Sequence, residues 1–230
     1  ASALVDWLGS RGFGGLSRRL VATGVVDVVS TAAPGIDDLL VLGKIKHLEQ
    51  TSEDDLIVVD GPAAGHALSM LTSPGGLADA IPSGPIPSQA AEIIAMLQDP
   101  KRCQVVLVTL AEETPVNETI ETAFHIEDRV GVQLTPVIVN ALDADGLDVP
   151  DPDDADLRDA LASIDASSRA ALIEAARFRR LRSAEQARQA DRLATTLPLA
   201  QIRLPMLFTA GLDAEHIATL ARSLDPEVPA

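Results

Sequence analysis

A chain of 230 residues with 47% apolar residues, 2% aromatic residues and no tyrosine can bury a sizeable core, filled mainly by Leu, Val, Ile and Ala. Its formal net charge of −16 argues against a general nucleic-acid or anionic-membrane surface, and its single cysteine, Cys103, excludes an intrachain disulfide framework and any multi-cysteine metal site. No apolar run approaches the roughly 18–20 residues that span a bilayer, and no basic region followed by an apolar stretch opens the chain, so a cytoplasmic protein is expected.

Residues 1–230 read as one domain. Because the sequence opens at Ala1 in a helical pattern, it is expected to be an amino-terminally truncated piece of something longer. Short helices are expected at 3–8 and 15–22. Between them GSRGFGG lacks the Gly-Lys-Ser/Thr ending of a phosphate-binding loop and reads as a turn. Pro34 and Gly35 introduce a helix to about Glu49, with Ile36, Leu39, Leu40, Ile45 and Leu48 at mostly helical spacing.

Leu56–Asp60, Gln104–Leu110 and Leu134–Asn140 are rich in β-branched residues without polar alternation, the pattern of strands covered on both faces. Ala200–Leu204 is a weaker fourth. Helices are expected at 88–98, 115–130 and 212–223, with Thr114 capping the second ahead of Pro115. Strand and helix thus alternate as in βαβ units. The fold class is α/β, a mostly parallel sheet with helices on both faces in three layers.

An Asp-rich connection from Asp143 to Asp159 leads into a helical section near residues 153–195. Its apolar residues recur every third position, at Leu172, Ala175, Phe178, Leu181, Ala184, Ala187, Ala190 and Leu193. Each step of three retreats about 60° around a helix, so the stripe cannot hold one face. Ser183 with Gln186 fits a cap for a second helix, and a helical hairpin or bent helix is expected. Eight of the 18 basic residues lie between Arg158 and Arg192, as a solvated face or a partner surface.

In an open parallel sheet, ligands gather beyond the carboxyl ends of the strands. One predicted strand ends at Asp60, followed by GPAAGH. A carboxylate there can hold Mg²⁺ through water, and nearby glycines let backbone amides approach a phosphate; Asp-Gly after an apolar strand is also a common turn. Another strand ends at Asn140, whose planar amide matches the donor and acceptor of a purine edge, or serves as a turn residue. Glu112 and Glu113 fall near the same edge, as helix N-terminal charge or as a coupling element. The histidines at 47, 66, 125 and 216 have no metal-ligand spacing.

The order PGIDDLL, LIVVDGPAAGHALSMLTSPGGL, VVLVTLAEETPVNETIETA, VIVNAL and IRLPMLFTAGLDAEHIATLA resembles the arsenite-pump and tail-anchored-protein-targeting ATPases, a deviant Walker branch of the P-loop NTPase fold. The resemblance implies that Asp60, Gly65 and His66 belong to the second switch, with Asp60 organising the water shell of Mg²⁺. It implies that Asn140 recognises adenine and that Leu204, Pro205 and Met206 line the base, so the cofactors are ATP and Mg²⁺. Gly61, Ala64 and Ala67 stand where that family carries threonines. The family's phosphate loop and catalytic lysines precede PGIDDLL, and residues 1–30 hold no such motif, so this chain alone is expected to be inactive. The resemblance further implies a nucleotide-switched dimer, as a homodimer or with a paralogous ATPase subunit. The alternative is a noncatalytic partner subunit. The single cysteine and the Ala- and Arg-rich helical section favour neither metalloid transport nor tail-anchor binding, so the client stays open.

Overall fold

The computed structural model describes residues 35–81, 83, 85–143, 151 and 154–224. The helices expected at 3–8 and 15–22, the GSRGFGG loop and most of the Asp-rich connection lie outside the described residues. The chain divides into two compact units: one runs to Val105 and includes Thr122–Leu134, and the other comprises Val106–Glu121 and the chain from Thr135 onward.

The first unit is led by three helices, α1 (Ile36–Thr51), α2 (Ala64–Ala80) and α3 (Pro85–Leu97), packed on one another. Helix α1 starts at Gly35, whose φ of 93° is left-handed; a β-carbon there would also lie 3.0 Å from the Ser73 Cβ of α2. Leu40 and Leu42 of α1, Leu71 and Leu77 of α2, and Ala90, Ile93, Met96 and Leu97 of α3 are buried. Lys46 of α1, itself buried, is paired with Glu92 of α3. At the far end of α1, Glu49 takes two hydrogen bonds from the Arg102 guanidinium, both 2.9 Å. That fork holds the Glu49 carboxyl below its ordinary range.

Helix α2 was not expected from the sequence, because Pro74, Gly75 and Gly76 sit inside it. Pro74 brings no N–H to the Met70 carbonyl four residues earlier. Ser73 Oγ donates to that carbonyl instead, at 2.9 Å, and the proline ring is buried. The helix therefore survives a residue that ordinarily ends one.

The run predicted as one strand over Gln104–Leu110 is two, β1 (Gln104–Val105) and β2 (Val108–Leu110), and the next is β3 (Gln133–Leu134) and β4 (Val137–Leu142). β1 pairs parallel with β3 in the first unit. Cys103, just before β1, is half-buried, and burial pushes its thiol pKa up. Helix α4 (Glu113–Arg129) opens two residues ahead of the predicted Pro115 start, so Thr114 lies inside it rather than at its cap.

In the second unit β2, β4 and β5 (Gln201–Pro205) form a three-stranded sheet in the order β2-β4-β5, every pairing parallel. With helices α5 (Ala155–Ala160), α6 (Ala166–Thr196) and α7 (Ala214–Ser223), this is the expected α/β class with parallel strands. Val137, Val139, Val116, Ala190 and Leu193 are buried here.

Two expectations are corrected. The helical section is not a hairpin or bent pair: α6 is one unbroken helix of 31 residues. Its drifting stripe is permitted because only Gln186, Gln189, Ala190 and Leu193 are buried, while Leu172, Phe178 and Leu181 stay exposed. A helix that buries one turn or two needs no continuous apolar face. Its N-cap is Asp165, whose carboxylate accepts from the Ser167 hydroxyl and from the Ser167 and Ser168 amides and is thereby held well below the usual carboxylate range.

The other correction concerns Leu56–Asp60, which joins no ladder among the described residues. Leu56 is 77% and Val58 82% exposed. The apolar run signals burial on both faces, but burial requires neighbouring strands that a local pattern cannot supply.

Candidate functional site

Asp60 is exposed and lies four residues before Ala64, where α2 begins. Gly65 and His66, expected in a switch turn, occupy the first turn of that helix instead, and both are exposed. The N-cap, Ala63, has no side chain that can accept a hydrogen bond, and no side-chain cap is formed. The first-turn amides of Ala64, Gly65 and His66 consequently point out of the helix without an intrahelical partner, at its positive end. That is the backbone chemistry of an anion site. A β-carbon at Gly61 or Gly65 would meet nothing within 4 Å, so the approach to these amides is open.

Among the described residues no group of three His, Cys, Asp or Glu side chains is placed to hold a metal ion. A single exposed carboxylate suits Mg²⁺, which keeps several waters and takes its remaining oxygens from phosphate rather than from a protein cage. Asp60 is an exposed carboxylate of that kind.

Asn140 lies in the other unit, at the carboxyl end of β4 and opposite Leu110 of β2. It is half-buried, and its Oδ1 accepts from the Ala141 amide at 2.9 Å. Leu204 and Pro205 end the adjacent strand β5, and the Met206 amide donates to the Leu142 carbonyl at 2.7 Å. Asn140 and residues 204–206 therefore meet near the carboxyl edge of one parallel sheet. The pairing is irregular there: Val139 faces Arg203 and Leu142 faces Pro205, so β4 takes three steps where β5 takes two. Ala141, in the extra step, has a left-handed φ of 56°.

Several residues around this edge escaped the sequence reading. Gln186 of α6 accepts from the Asp143 amide at 2.9 Å and donates to the Ala141 carbonyl at 3.2 Å. Ser183 donates to the Asp143 carboxylate at 3.0 Å. The Ser183–Gln186 pair, expected to cap a helix, instead bonds across to the loop after Asn140. Arg179 lies over the ring of Phe208, 5.0 Å from its centroid, two residues beyond Met206. Nearer the start of α4, Arg192 donates to the Asn117 side chain at 2.7 Å and to the Glu113 carbonyl at 3.3 Å.

The fold and these edges define an α/β protein with a parallel sheet and its polar side chains gathered at the strand ends, the place where such sheets bind ligands. No protein-family model matches the chain. It is similar to ATPase BagA of Mycobacterium tuberculosis, 32% identical over 144 residues, covering 59% of this chain and 41% of that protein. A Mycobacterium bovis protein named as an ATPase matches with the same identity and coverage. A Halobacterium salinarum protein named as an arsenical pump-driving ATPase is 28% identical over 118 residues, 48% of this chain and 18% of its own length. The chain spans about two fifths of the length of its mycobacterial relatives, and those names support an ATPase family at modest identity. No helix among the described residues is long and apolar enough to cross a membrane.

Proposed function

We propose that this chain is the switch and base-binding part of a Mg-ATP-hydrolysing ATPase of the arsenite-pump and tail-anchored-protein-targeting family. The observation that carries the reading is Asn140 at the carboxyl edge of the parallel sheet, beside the end of β5, in a chain whose relatives are named as ATPases.

The Asn140 Oδ1, already accepting from the Ala141 amide, has a second lone pair for an exocyclic amino group, and no hydrogen bond among the described residues engages Nδ2. That pair matches N6 and N7 of adenine; guanine presents a carbonyl oxygen where adenine has its amino group, which sets acceptor against acceptor. Leu204, Pro205 and Met206 supply apolar surface for the ring. Asp60 holds the water shell of Mg²⁺, which when bound neutralises charge on the phosphates. The amides of Ala64, Gly65 and His66 meet the terminal phosphate. Backbone donors take over at this switch from the hydroxyls that Gly61 and Ala64 lack. Hydrolysis further needs the phosphate loop and lysines of that family, so turnover is a property of the whole protein, working as a nucleotide-switched cytoplasmic dimer with itself or a paralogous subunit.

The test is nucleotide titration of the full natural chain containing this sequence. ATP is expected to bind about tenfold or more tighter than GTP, and Asn140→Ala to erase the difference, since a lost bidentate base contact removes roughly 1–3 kcal/mol of discrimination. Equal affinity for the two nucleotides in the wild type counts against the base assignment.

A further inference from the structure

The chain just after Asn140 is held by one side chain of α6, Gln186. β4 carries one residue more than β5 between their paired positions, and an extra residue of that kind forms a bulge, which re-aims the side chains beside it. Ala141 takes the left-handed conformation inside the bulge; among the described residues it is the only non-glycine with positive φ. A residue with a β-carbon adopts that conformation only where its surroundings over-determine it.

Those surroundings are the side chain of Gln186. It is 6% exposed, and its amide spans the bulge, donating to the carbonyl of Ala141 and accepting from the amide of Asp143. Ser183, one turn earlier on α6, fastens the Asp143 carboxylate. The Asn140 side chain bonds to the Ala141 amide on the near side of that residue, and Gln186 holds the Ala141 carbonyl on the far side, so the left-handed Ala141 backbone links the two side chains. A glutamine buried at this point is costly unless both ends of its amide are satisfied, and the bulge satisfies both.

Resting on the proposed function, we infer that Gln186 is a positioning residue: by closing the bulge at Asn140–Ala141 it aims the Asn140 amide at the base, and so couples α6 to base recognition. Gln186 does not touch the nucleotide. Its contribution passes through Asn140 alone.

The experiment is a double-substitution cycle on the full natural chain, read as dissociation constants for ATP and GTP with Mg²⁺ present, with circular dichroism confirming the fold of each variant. Gln186→Ala is expected to weaken ATP binding about tenfold, equivalent to about 1.4 kcal/mol, while GTP binding stays within twofold. In the Asn140→Ala background the same substitution is expected to change ATP binding less than twofold. If Gln186→Ala does not fold, Gln186→Glu keeps an acceptor for the Asp143 amide but sets a carboxylate oxygen against the Ala141 carbonyl in place of the donor, and is read by the same criteria. Equal losses for ATP and GTP, no loss, or a full effect in the Asn140→Ala background each overturn the inference. Failure of the underlying reading looks different: Asn140→Ala would then leave ATP binding unchanged, and the inference falls with it.

Discussion

Replacing Asp60 by alanine is expected to slow ATP hydrolysis by the full natural protein about a hundredfold or more, the scale on which a lost electrostatic contact to developing charge registers. Positioning and charge neutralisation do most of the work in phosphoryl transfer, so a carboxylate that orders the metal's water shell acts on the rate. Asp60→Asn, which keeps the shape and removes the charge, is expected to fall nearly as far. Glu53→Ala is the internal control, because Glu53 is an exposed acid seven residues away with no place at the α2 amides. Single-turnover phosphate release gives the comparison. Equal rates for wild type and Asp60→Ala would remove Asp60 from the site, and ATP binding without turnover in the wild type would favour a noncatalytic subunit.

The largest stability effect is expected in the three-helix layer that carries Asp60 and α2. Ile93 is fully buried, with Leu42, Met96 and Leu97 among the buried neighbours of its unit. Truncation to alanine removes three carbons from a close-packed position and leaves a cavity that the helices close only in part. Ile93→Ala is therefore expected to cost about 2–5 kcal/mol. With a urea dependence of about 1–3 kcal/mol per molar, the unfolding midpoint of this unit falls by about 1–2 M. Leu48 on α1 is 40% exposed, and Leu48→Ala is expected to stay within about 1 kcal/mol. A midpoint shift no larger for Ile93→Ala than for Leu48→Ala would mean that this packing is not what holds the layer together.

Strand β4 was legible because Val137–Val139 is an unbroken apolar run with Val137 and Val139 buried, whereas in the run Gln104–Leu110, expected to be covered on both faces, Val106 and Val108 are 51% and 61% exposed. Helix α1 was legible from Gly35 and the spacing of Ile36, Leu39 and Leu40. What escaped depends on pairings distant in sequence. Leu56–Asp60 has the strand pattern but joins no ladder among the described residues. Helix α2 runs through Pro74 because Ser73 supplies the missing donor, a substitution visible only in three dimensions. Ser183 and Gln186 have the spacing of a cap, yet their partners lie at Ala141 and Asp143, about forty residues earlier. Two polar residues three apart and facing the core side of a helix were the available signal.

At the candidate site, the sequence put Asn140 at a strand end and linked Leu204, Pro205 and Met206 to it only through the family resemblance; the parallel pairing of β4 with β5 brings these residues near one another, a relation no local pattern carries. Gly65 and His66, expected in the second switch, instead open α2.

Amide hydrogen exchange of the full natural chain, with and without a nonhydrolysable ATP analogue and Mg²⁺, tests the central claim most directly. The account predicts slowed exchange in two separate stretches, Gly61–His66 at the start of α2 and Asn140–Asp143 with Met206–Phe208 at the sheet edge. Protection confined to other segments, or none at saturating analogue, would contradict it.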